Sequence, residues 1–456
     1  MNSSFITSFR QAAGRTALLL VLGLGAGSCE KILDQIPQNS LDANTGFTTR
    51  QDAVAGLRGC YDALQSANYY GLRYETFADL IANNIRHTGT FPTFAQISQN
   101  AILPDNTDMR SVWIITYDAI QRANYYIANV SSLSDPAFNT PSAIGEVRAL
   151  RALHYMNLLG FWGGTPEGYG YTGGLGVPLR LTPTLAVGSD TQPVARATEA
   201  EVNTAIRADL DFAIANIATT NTAITNVTRN AALALRARFE LRVRNYSEAL
   251  RFANQVTGNI TSSDNLFQLQ FNVNDQNQLA FFWFPAASGG RNELDPSDDL
   301  AASHPTGDNR FPINIVNATN ATAVYPAGTT RKYFTISTNS DPVNIVRYSE
   351  VALIIAEAAA QTGNLSLAIT QVNAIRTKAG LTATTATTQA ALLTEIYLQR
   401  RLELAYEGHH WFDLRRTNRV QTAIPAYTQT FRNLWPIPLQ EIQNSGGVLV
   451  QNPGGF

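Results

Sequence analysis

The densest group of ionisable side chains in this chain lies near the C-terminus, in the stretch RRLELAYEGHHWFDLRR from Arg400 to Arg416. Imidazoles, carboxylates and guanidinium groups together could transfer protons or ligate a metal ion. His409 and His410 are adjacent, however, whereas the zinc-binding histidines of H-E-x-x-H lie one helical turn apart on one face. Adjacent side chains on a helix point about 100° apart. The spacing therefore argues against a zinc site.

The helical phase of the same stretch favours a structural interpretation. An apolar stripe runs along residues 398–406, and Arg400 and Glu403 stand at i and i+3, within reach of an ion pair. Gly408 is a residue type that commonly ends a helix. We therefore predict a packed helical corner whose charges pair internally and whose aromatic residues are buried. The residues given this structural role are Arg400, Glu403, Trp411, Phe412 and Asp413.

No other motif supports catalysis. The segment GYGYTGG matches G-x-G-x-x-G at Gly168, Gly170 and Gly173. That fingerprint requires a strand before it and a helix after it, so that the helix N-terminus meets a pyrophosphate. Here a helical pattern precedes the glycines and two prolines follow, which predicts a loop. No G-x-S-x-G elbow is present, and five histidines in the whole chain leave little for acid–base work. We predict a protein that is not an enzyme and has no cofactor.

The acidic cluster DPSDD, from Asp295 to Asp299, leaves two alternatives open. Its oxygen atoms could ligate calcium, or the cluster is a solvated acidic loop. The only cysteines, Cys29 and Cys60, are too few for a thiolate metal site. Cys60 lies in a helical pattern and is predicted to be a small buried apolar residue. No metal ligand is assigned.

The charge pattern argues against nucleic acid as a partner. The chain has 456 residues, of which 15% are charged, and a formal net charge of -2. Phosphate neutralisation needs clustered lysines and arginines, and no basic block or stripe is present.

The N-terminus has the pattern of an export signal. Arg10 and Arg15 precede the apolar run ALLLVLGLG, and small residues then lead to Cys29. The run is too short to cross a hydrocarbon layer about 30 Å thick as a helix. A cysteine after small residues resembles the lipobox of bacterial lipoproteins, in which the chain is cut before the cysteine and the sulfur carries lipid. We predict lipidation of Cys29; an ordinary cleaved signal is the alternative.

The rest of the chain is predicted to form one large domain. Residues 1–28 are the signal peptide, 29–48 are a tether and extended segment, and 49–456 are the domain. Apolar residues recur with helical period in segments at roughly 49–67, 110–131, 141–160, 198–217, 229–243, 246–257, 346–361, 365–379 and 389–407. These segments predict a helix-pair scaffold over 49–160, 198–257 and 346–416. Loop-rich, ligand-facing parts are predicted at 68–109, 161–197 and 258–345, with short β-pairs in the last two.

Two segments share one plan of helix, tight turn and second helix. The first turns at Asn245, and the second turns at Gly363 and Asn364. Each second helix has a large residue three positions before an alanine, which lets paired helices approach closely, as in tetratricopeptide repeats. Two unrelated helical hairpins are the alternative. Stacked helix pairs would bury a common core and leave a surface for partners.

Aromatic residues in and beside the irregular segments are the remaining candidates for binding. Flat aromatic faces near Asn, Asp and Arg suit sugar rings, whose C–H faces stack while their hydroxyl groups form hydrogen bonds. The candidates are Tyr69, Tyr70, Tyr74, Phe91, Phe94, Trp283 and Phe311.

Nearly the whole chain resembles the SusD/RagB family of outer-membrane nutrient-binding lipoproteins. The similarity begins at CEKILDQIPQNSLD and continues through EVRALRALHYMNLLGFWGGTP and VRYSEVALIIAEAAAQTGNLSLAITQVNAIRTKAGL. It ends in RRLELAYEGHHWFDLRR and LWPIPLQEIQNSGGVLVQNPGGF. These last two are highly specific together, by their order and their place at the C-terminus.

This resemblance implies a mainly α fold, in which tetratricopeptide-like helix pairs form a curved scaffold packed against an irregular loop-rich half with a few short strands. It also implies a lipid-anchored protein on the outside of the outer membrane. Such proteins cap a SusC-like TonB-dependent transporter and capture oligosaccharides or peptides, without being enzymes. The family's ligand aromatics follow no fixed motif. The segment GDNRF matches a recurrent Asp-x-Arg pattern, and we interpret Asp308 and Arg310 as structural.

Two rival functions remain open on the sequence. One is a surface lipoprotein scaffold that binds only protein partners. The other is a secreted glycan hydrolase, which would show turnover that disappears when one carboxylate is neutralised. The missing catalytic motifs count against the hydrolase.

Overall fold

The structure is a computed structural model that describes residues 47–186, 188–261 and 263–456. The predicted signal peptide, Cys29 and almost all of the tether lie outside the described residues. Seventeen α-helices occur within the described part. They are α1 (Arg50–Gln65), α2 (Arg73–Ile81), α3 (Pro92–Ser98), α4 (Thr107–Asn129), α5 (Thr140–Trp162), α6 (Glu199–Asn216), α7 (Arg229–Arg242), α8 (Tyr246–Ala253), α9 (Leu279–Trp283), α10 (Asp298–Ala302), α11 (Phe311–Asn314), α12 (Tyr348–Gln361), α13 (Leu365–Lys378), α14 (Gln389–Glu403), α15 (His410–Arg416), α16 (Val420–Ala423) and α17 (Leu439–Asn444).

Six short strands form three separate antiparallel pairs within the same residues. The strands are β1 (Ile85–His87), β2 (Leu175–Pro178), β3 (Arg196–Thr198), β4 (Asn265–Leu269), β5 (Leu294–Pro296) and β6 (Val343–Arg347). Strand β1 pairs with β5, β2 with β3, and β4 with β6. The short β-pairs predicted in the two long irregular tracts are therefore present.

The long helices begin at side chains that cap them. The Thr198 hydroxyl accepts a hydrogen bond from the Glu201 backbone N–H at 3.2 Å, and the Glu201 carboxylate accepts one from the Thr198 backbone N–H at 2.8 Å. This capping box starts α6 because it satisfies two backbone donors that have no partner inside the helix. Thr49 and Asp52 form the same arrangement at the start of α1.

The helices pack on one another in succession, which confirms the mainly α prediction with tetratricopeptide-like pairs. Helix α5 contacts α4 and α6, α7 contacts α8, and α12 contacts α8, α13 and α14. Ala249 and Ala368, the small residues of the two repeated units, are both fully buried. At the turn between α12 and α13, Gly363 has a φ of +86°, which only glycine adopts without strain.

Residues 73–81, which fall in the predicted ligand-facing part 68–109, instead form the buried helix α2. Every residue from Tyr74 to Ile81 is buried. The helix has only nine residues, so its pattern is too short to be told from a strand or a loop by periodicity alone. Both of its carboxylates have partners inside the protein. Glu75 Oε2 accepts a hydrogen bond from the Tyr333 hydroxyl at 2.9 Å, whereas Glu75 Oε1 has no partner among the described residues. Asp79 accepts a hydrogen bond from the Gly408 backbone N–H, also at 2.9 Å.

Among the described residues, no helix has the length and apolar character needed to cross a membrane.

Candidate functional site

The charged C-terminal stretch lies in the interior and holds the fold together. Arg400 Nε lies 2.9 Å from Asp413 Oδ2, and Arg416 Nε lies 2.8 Å from Asp413 Oδ1. Trp411 and Phe412, which lie between Arg400 and Asp413 in the sequence, are buried, at 0% and 3% exposure. The two guanidinium groups hold the pKa of Asp413 well below its ordinary value, despite the opposing effect of burial.

One detail of the structural prediction was wrong. Within the described part of the chain, Arg400 and Glu403 form no ion pair at i and i+3. Glu403 instead accepts from Arg347 Nη1 at 3.1 Å and from Lys378 Nζ at 2.8 Å. Helix α14 ends at Glu403, because the chain then turns through left-handed conformations at Tyr406 (φ +65°) and Gly408 (φ +72°). Its last charged residues therefore point to neighbours from distant parts of the chain.

Burial also removes both adjacent histidines from acid–base chemistry at neutral pH. Desolvation of the imidazolium lowers the pKa of His409 to about 4 and the pKa of His410 well below its ordinary value. Both side chains are neutral at pH 7.

Asp308 and Arg310 form a buried pair. Arg310 donates from Nε at 2.9 Å and from Nη2 at 2.7 Å to the Asp308 carboxylate. The residues are 4% and 7% exposed, respectively. Their geometry fits the structural role inferred from the Asp-x-Arg pattern.

Most of the aromatic residues predicted to bind ligand are core residues, and the prediction is corrected for them. Tyr69, Tyr70, Tyr74, Phe94 and Trp283 are each at most 4% exposed. The Tyr69 and Tyr70 hydroxyls accept hydrogen bonds from Asn157 Nδ2 at 2.7 and 2.8 Å, and the Trp283 ring packs edge-to-face on Tyr406. A ligand cannot stack on a ring that is covered on both faces.

Phe91 and Phe311 are the two predicted aromatics that remain half-buried. Phe311 packs edge-to-face on His304 at the start of α11, with ring centroids 5.4 Å apart. Phe91 immediately precedes α3, and its ring is offset-stacked 6.0 Å from Phe282. The Arg291 guanidinium lies 4.2 Å from the centre of the Phe91 ring.

The β1–β5 pair places Phe91 and Arg291 side by side, although 200 residues separate them in the chain. Glu293 holds the arrangement together. Its carboxylate accepts from Arg291 Nε at 3.1 Å and from the Thr90 backbone N–H at 3.0 Å, and lies 3.0 Å from His87 Nε2. We call Phe91, Arg291, Glu293, Thr90 and His87 the Phe91 edge.

The Phe91 edge brings together residues from two of the three predicted loop-rich segments, 68–109 and 258–345. The Arg291 side chain is 40% exposed, whereas the Glu293 side chain that orients it is 2% exposed. A guanidinium held over a ring offers both a planar group for stacking and hydrogen-bond donors. This combination suits the apolar face and the hydroxyl groups of a sugar ring.

A second aromatic feature was missed by the sequence reasoning. Phe334 is 37% exposed and, among the described residues, is the one aromatic side chain in the exposed class. Its ring packs edge-to-face on Tyr325 at 5.4 Å, and the Arg331 guanidinium lies 4.8 Å from the Tyr325 ring centre. The sequence signal that could have indicated it is the adjacent pair Tyr333–Phe334. Neighbouring side chains point in different directions, so when Tyr333 is buried, Phe334 faces outward.

The acidic cluster at Asp295–Asp299 is neutralised by arginines. Asp295 lies 2.8 Å from Arg86, and Asp299 lies 2.6 Å from Arg401. Throughout the three described ranges, no group of three or more His, Cys, Asp or Glu residues could hold a metal ion. The geometry therefore gives no support to the calcium alternative.

The glycine-rich segment is a loop, as predicted, and Arg415 fixes it. Arg415 donates to the backbone carbonyls of Gly160, Gly163 and Thr165 at 2.8 to 3.1 Å. Gly168 has a φ of +139°, and a Cβ there would lie 2.4 Å from the Arg415 carbonyl oxygen. The glycines thus allow close packing of the loop against α15.

Comparison with known proteins gives a consistent result. Residues 308–428 match a family model described as "SusD family", and residues 31–241 match one described as "Starch-binding associating with outer membrane". SusD-like protein P38 of Formosa agariphila is 25% identical, over 92% of this chain and 94% of that protein. SusD-like protein P2 of the same organism is 21% identical, over 92% of this chain and 96% of that protein.

Solved structures share the fold. A SusD superfamily protein from Bacteroides thetaiotaomicron has a TM-score of 0.74 and 22% identity, over 89% of this chain and 100% of that chain. A SusD superfamily protein from Parabacteroides distasonis has a TM-score of 0.76 and 20% identity, over 90% and 100% of the two chains. A laminarin-binding SusD-like protein has a TM-score of 0.73 and 21% identity, over 90% and 100%.

Proposed function

The chain belongs to the SusD family, and from this premise we propose that it is a nutrient-binding lipoprotein of the cell surface. It captures oligosaccharides, or peptides, and delivers them to a SusC-like TonB-dependent transporter in the outer membrane. It faces the cell exterior and is held to the membrane by lipid on Cys29. It binds its cargo without chemical conversion.

The observation that carries this proposal is the Phe91 edge. It combines a half-buried ring, an exposed guanidinium 4.2 Å from that ring, and a buried carboxylate that fixes the guanidinium. A preorganised planar surface with outward donors favours binding of a sugar, because little side-chain entropy is lost on contact. The laminarin-binding relative supports a glycan as the cargo.

The test of cargo capture is glycan binding by the soluble domain and by two variants. Phe91→Leu keeps an apolar side chain against Phe282 but removes the flat ring that supports the Arg291 guanidinium, and Arg291→Ala removes the guanidinium itself. We expect each variant to bind its glycan about tenfold more weakly, as the loss of one stacking or charge-assisted contact implies.

Matched controls lie elsewhere on the surface. Phe138→Leu changes another half-buried ring that packs on the core. Arg251→Ala removes a guanidinium that lies 3.9 Å from the Phe252 ring and pairs with Glu248. Both controls should bind like the wild type. Equal weakening by the controls, or no weakening by Phe91→Leu and Arg291→Ala, would contradict the assignment of the site.

The anchor and the partner need separate tests. A Cys29→Ala protein should leave the membrane fraction, and its retention there would contradict lipid anchoring. Purification of the native protein from outer membranes should bring a large β-barrel transporter with it. If the protein were instead a scaffold that binds only protein partners, the purification would recover the β-barrel transporter, but the protein would bind no glycan or peptide.

A further inference from the structure

A cleft whose wall combines charged, amide and apolar side chains lies on the molecule, and none of the residues of the Phe91 edge line it. Its cavity volume is about 920 Å³, and its wall is formed by β4, β6, α13, the end of α14 and the segment 310–333. We call it the α13 cleft. The volume falls within the range of ligand-binding pockets, which run from about 300 to 1,000 Å³.

The charges in the wall of the α13 cleft are already paired. Arg347 donates to the carboxylates of Asp264, Glu403 and Glu407 at 2.9 to 3.2 Å. Lys378 Nζ lies 2.8 Å from Glu403 Oε1. Lys332 Nζ donates three hydrogen bonds, to the carbonyl oxygens of residues 403 and 405 and to the Glu407 carboxylate.

The charges also balance in sign. The four cations of the wall are matched by four carboxylates with which they pair: Arg310, Lys332, Arg347 and Lys378 against Asp264, Asp308, Glu403 and Glu407. The pKa of Glu403 is lowered to about 2 and the pKa values of Asp264 and Glu407 are lowered, so these carboxylates are ionised at neutral pH despite burial. A ligand that brought its own charge would meet no free counter-ion there and would lose its hydration.

The accessible hydrogen-bonding capacity that remains in the cleft is neutral, because the one charged donor of its wall without a hydrogen bond among the described residues, Arg310 Nη1, is buried and lies 3.7 Å from Glu403 Oε2. The Asn265 amide has no side-chain hydrogen bond to any described residue. Asn344 Oδ1 accepts from Gln268 Nε2 at 2.6 Å, which leaves the Asn344 amide N–H groups free. Thr261 and Thr377 present exposed hydroxyls at the mouth, with apolar surface from Ile313, which is 43% exposed.

We propose that the α13 cleft is a second ligand site, that it takes an uncharged oligosaccharide, and that Asn265 and Asn344 are its specificity-determining residues. Amide groups hydrogen-bond the sugar hydroxyls, and the C–H faces of the rings lie on Ile313 and Pro342. This inference rests on the proposed glycan-binding function and adds to it a position and a ligand class.

The test compares neutral and acidic glycans on matched variants. The probes are neutral gluco-, xylo- and manno-oligosaccharide hexamers, with hexamers of galacturonic and mannuronic acid as acidic counterparts. Binding is measured by titration calorimetry on the soluble domain, the double variant Asn265→Ala/Asn344→Ala, and the control Asn274→Ala. Asn274 is exposed and does not line the cleft. Thermal melting checks that each protein is folded.

The wild type should bind a neutral hexamer at two sites, and the double variant should lose one site or weaken it by about tenfold, as two lost hydrogen bonds imply. The Phe91→Leu variant should retain the second site, and Asn274→Ala should match the wild type. A wild type that binds a glycan at one site only, unchanged in the double variant, overturns the second site alone. Equal or tighter binding of the acidic hexamers in the cleft overturns the ligand class. Failure of every glycan to bind the wild type overturns glycan capture at both sites and leaves only the peptide form of the proposed function, which a peptide panel then tests.

Discussion

Arg416 donates two hydrogen bonds to the carboxylate of Glu357, from Nη1 at 2.5 Å and from Nη2 at 2.6 Å. Glu357 is fully buried in α12, and Arg416 is 2% exposed at the end of α15. The pair therefore ties the last part of the scaffold to the helix around which α8, α13 and α14 pack. The C-terminal stretch from Arg400 to Arg416 thus stabilises the packing of the helix pairs.

Glu357→Gln should destabilise the protein strongly. The substitution keeps the shape of the side chain but leaves Arg416 with a reduced counter-charge in the interior, and broken buried ion pairs cost about 3 to 5 kcal/mol. The measurement is the free energy of unfolding in guanidinium chloride. The surface pair of Arg251 and Glu248 gives the control, because Glu248→Gln should cost less than about 1 kcal/mol. A similar small cost for both would show that the Arg416 pair does not hold the scaffold.

Glu403 should make the unfolding free energy depend on acid pH. Arg347 and Lys378 hold the pKa of Glu403 at about 2, below its ordinary value of 4.5. Because the folded-state pKa is lower, the unfolded chain binds the proton first, and the stabilisation is present above pH 4.5 and lost as the pH falls towards 2. The free energy of unfolding of the wild type should thus exceed that of Glu403→Gln by a few kcal/mol at pH 7. This difference should shrink below pH 4.5. A difference that stays constant from pH 7 to 3 would contradict the pairing.

His410→Ala should leave ligand binding unchanged. The imidazole is buried, and its pKa lies well below the ordinary value, so it is a neutral packing group. The variant should unfold at lower denaturant concentration, because the substitution leaves a cavity in the interior. Its affinity for the glycan should equal that of the wild type in titration calorimetry. Loss of binding in a variant with normal circular dichroism would return the C-terminal stretch to the list of ligand sites.

The helical scaffold was predictable because apolar residues recur at helical spacing over long segments. The repeated units of α7–α8 and α12–α13 were located to within a few residues, since their turns carry Asn245, Gly363 and Asn364. Helix α2 was missed because it has only nine residues, and because the carboxylates of Glu75 and Asp79 are typical of surface positions until their partners are known.

The binding surface was harder to predict, because exposure depends on the path of the loops. Tyr70 and Phe91 both lie in one irregular tract and look equivalent in sequence. Tyr70 is 3% exposed, whereas Phe91 is half-buried and lies beside Arg291, which the β1–β5 pair brings to it. No local pattern joins residues 91 and 291. Pairings of this length are decided by tertiary packing, and only the aromatic composition of the tract hinted at a site.

Phe334→Ala should weaken glycan binding without loss of stability. The ring is 37% exposed and packs edge-to-face on Tyr325, so it contributes little core packing but offers an open stacking face. Loss of one aromatic stacking contact is worth about 1 kcal/mol, or roughly fivefold in affinity. The matched control is Val324→Ala, which removes a side chain that is 58% exposed on the same loop. Melting temperatures of both variants should stay close to that of the wild type. If Phe334→Ala binds every glycan of the panel as tightly as Val324→Ala does, the exposed ring takes no part in capture, and the Phe91 edge and the α13 cleft remain as the proposed ligand contacts.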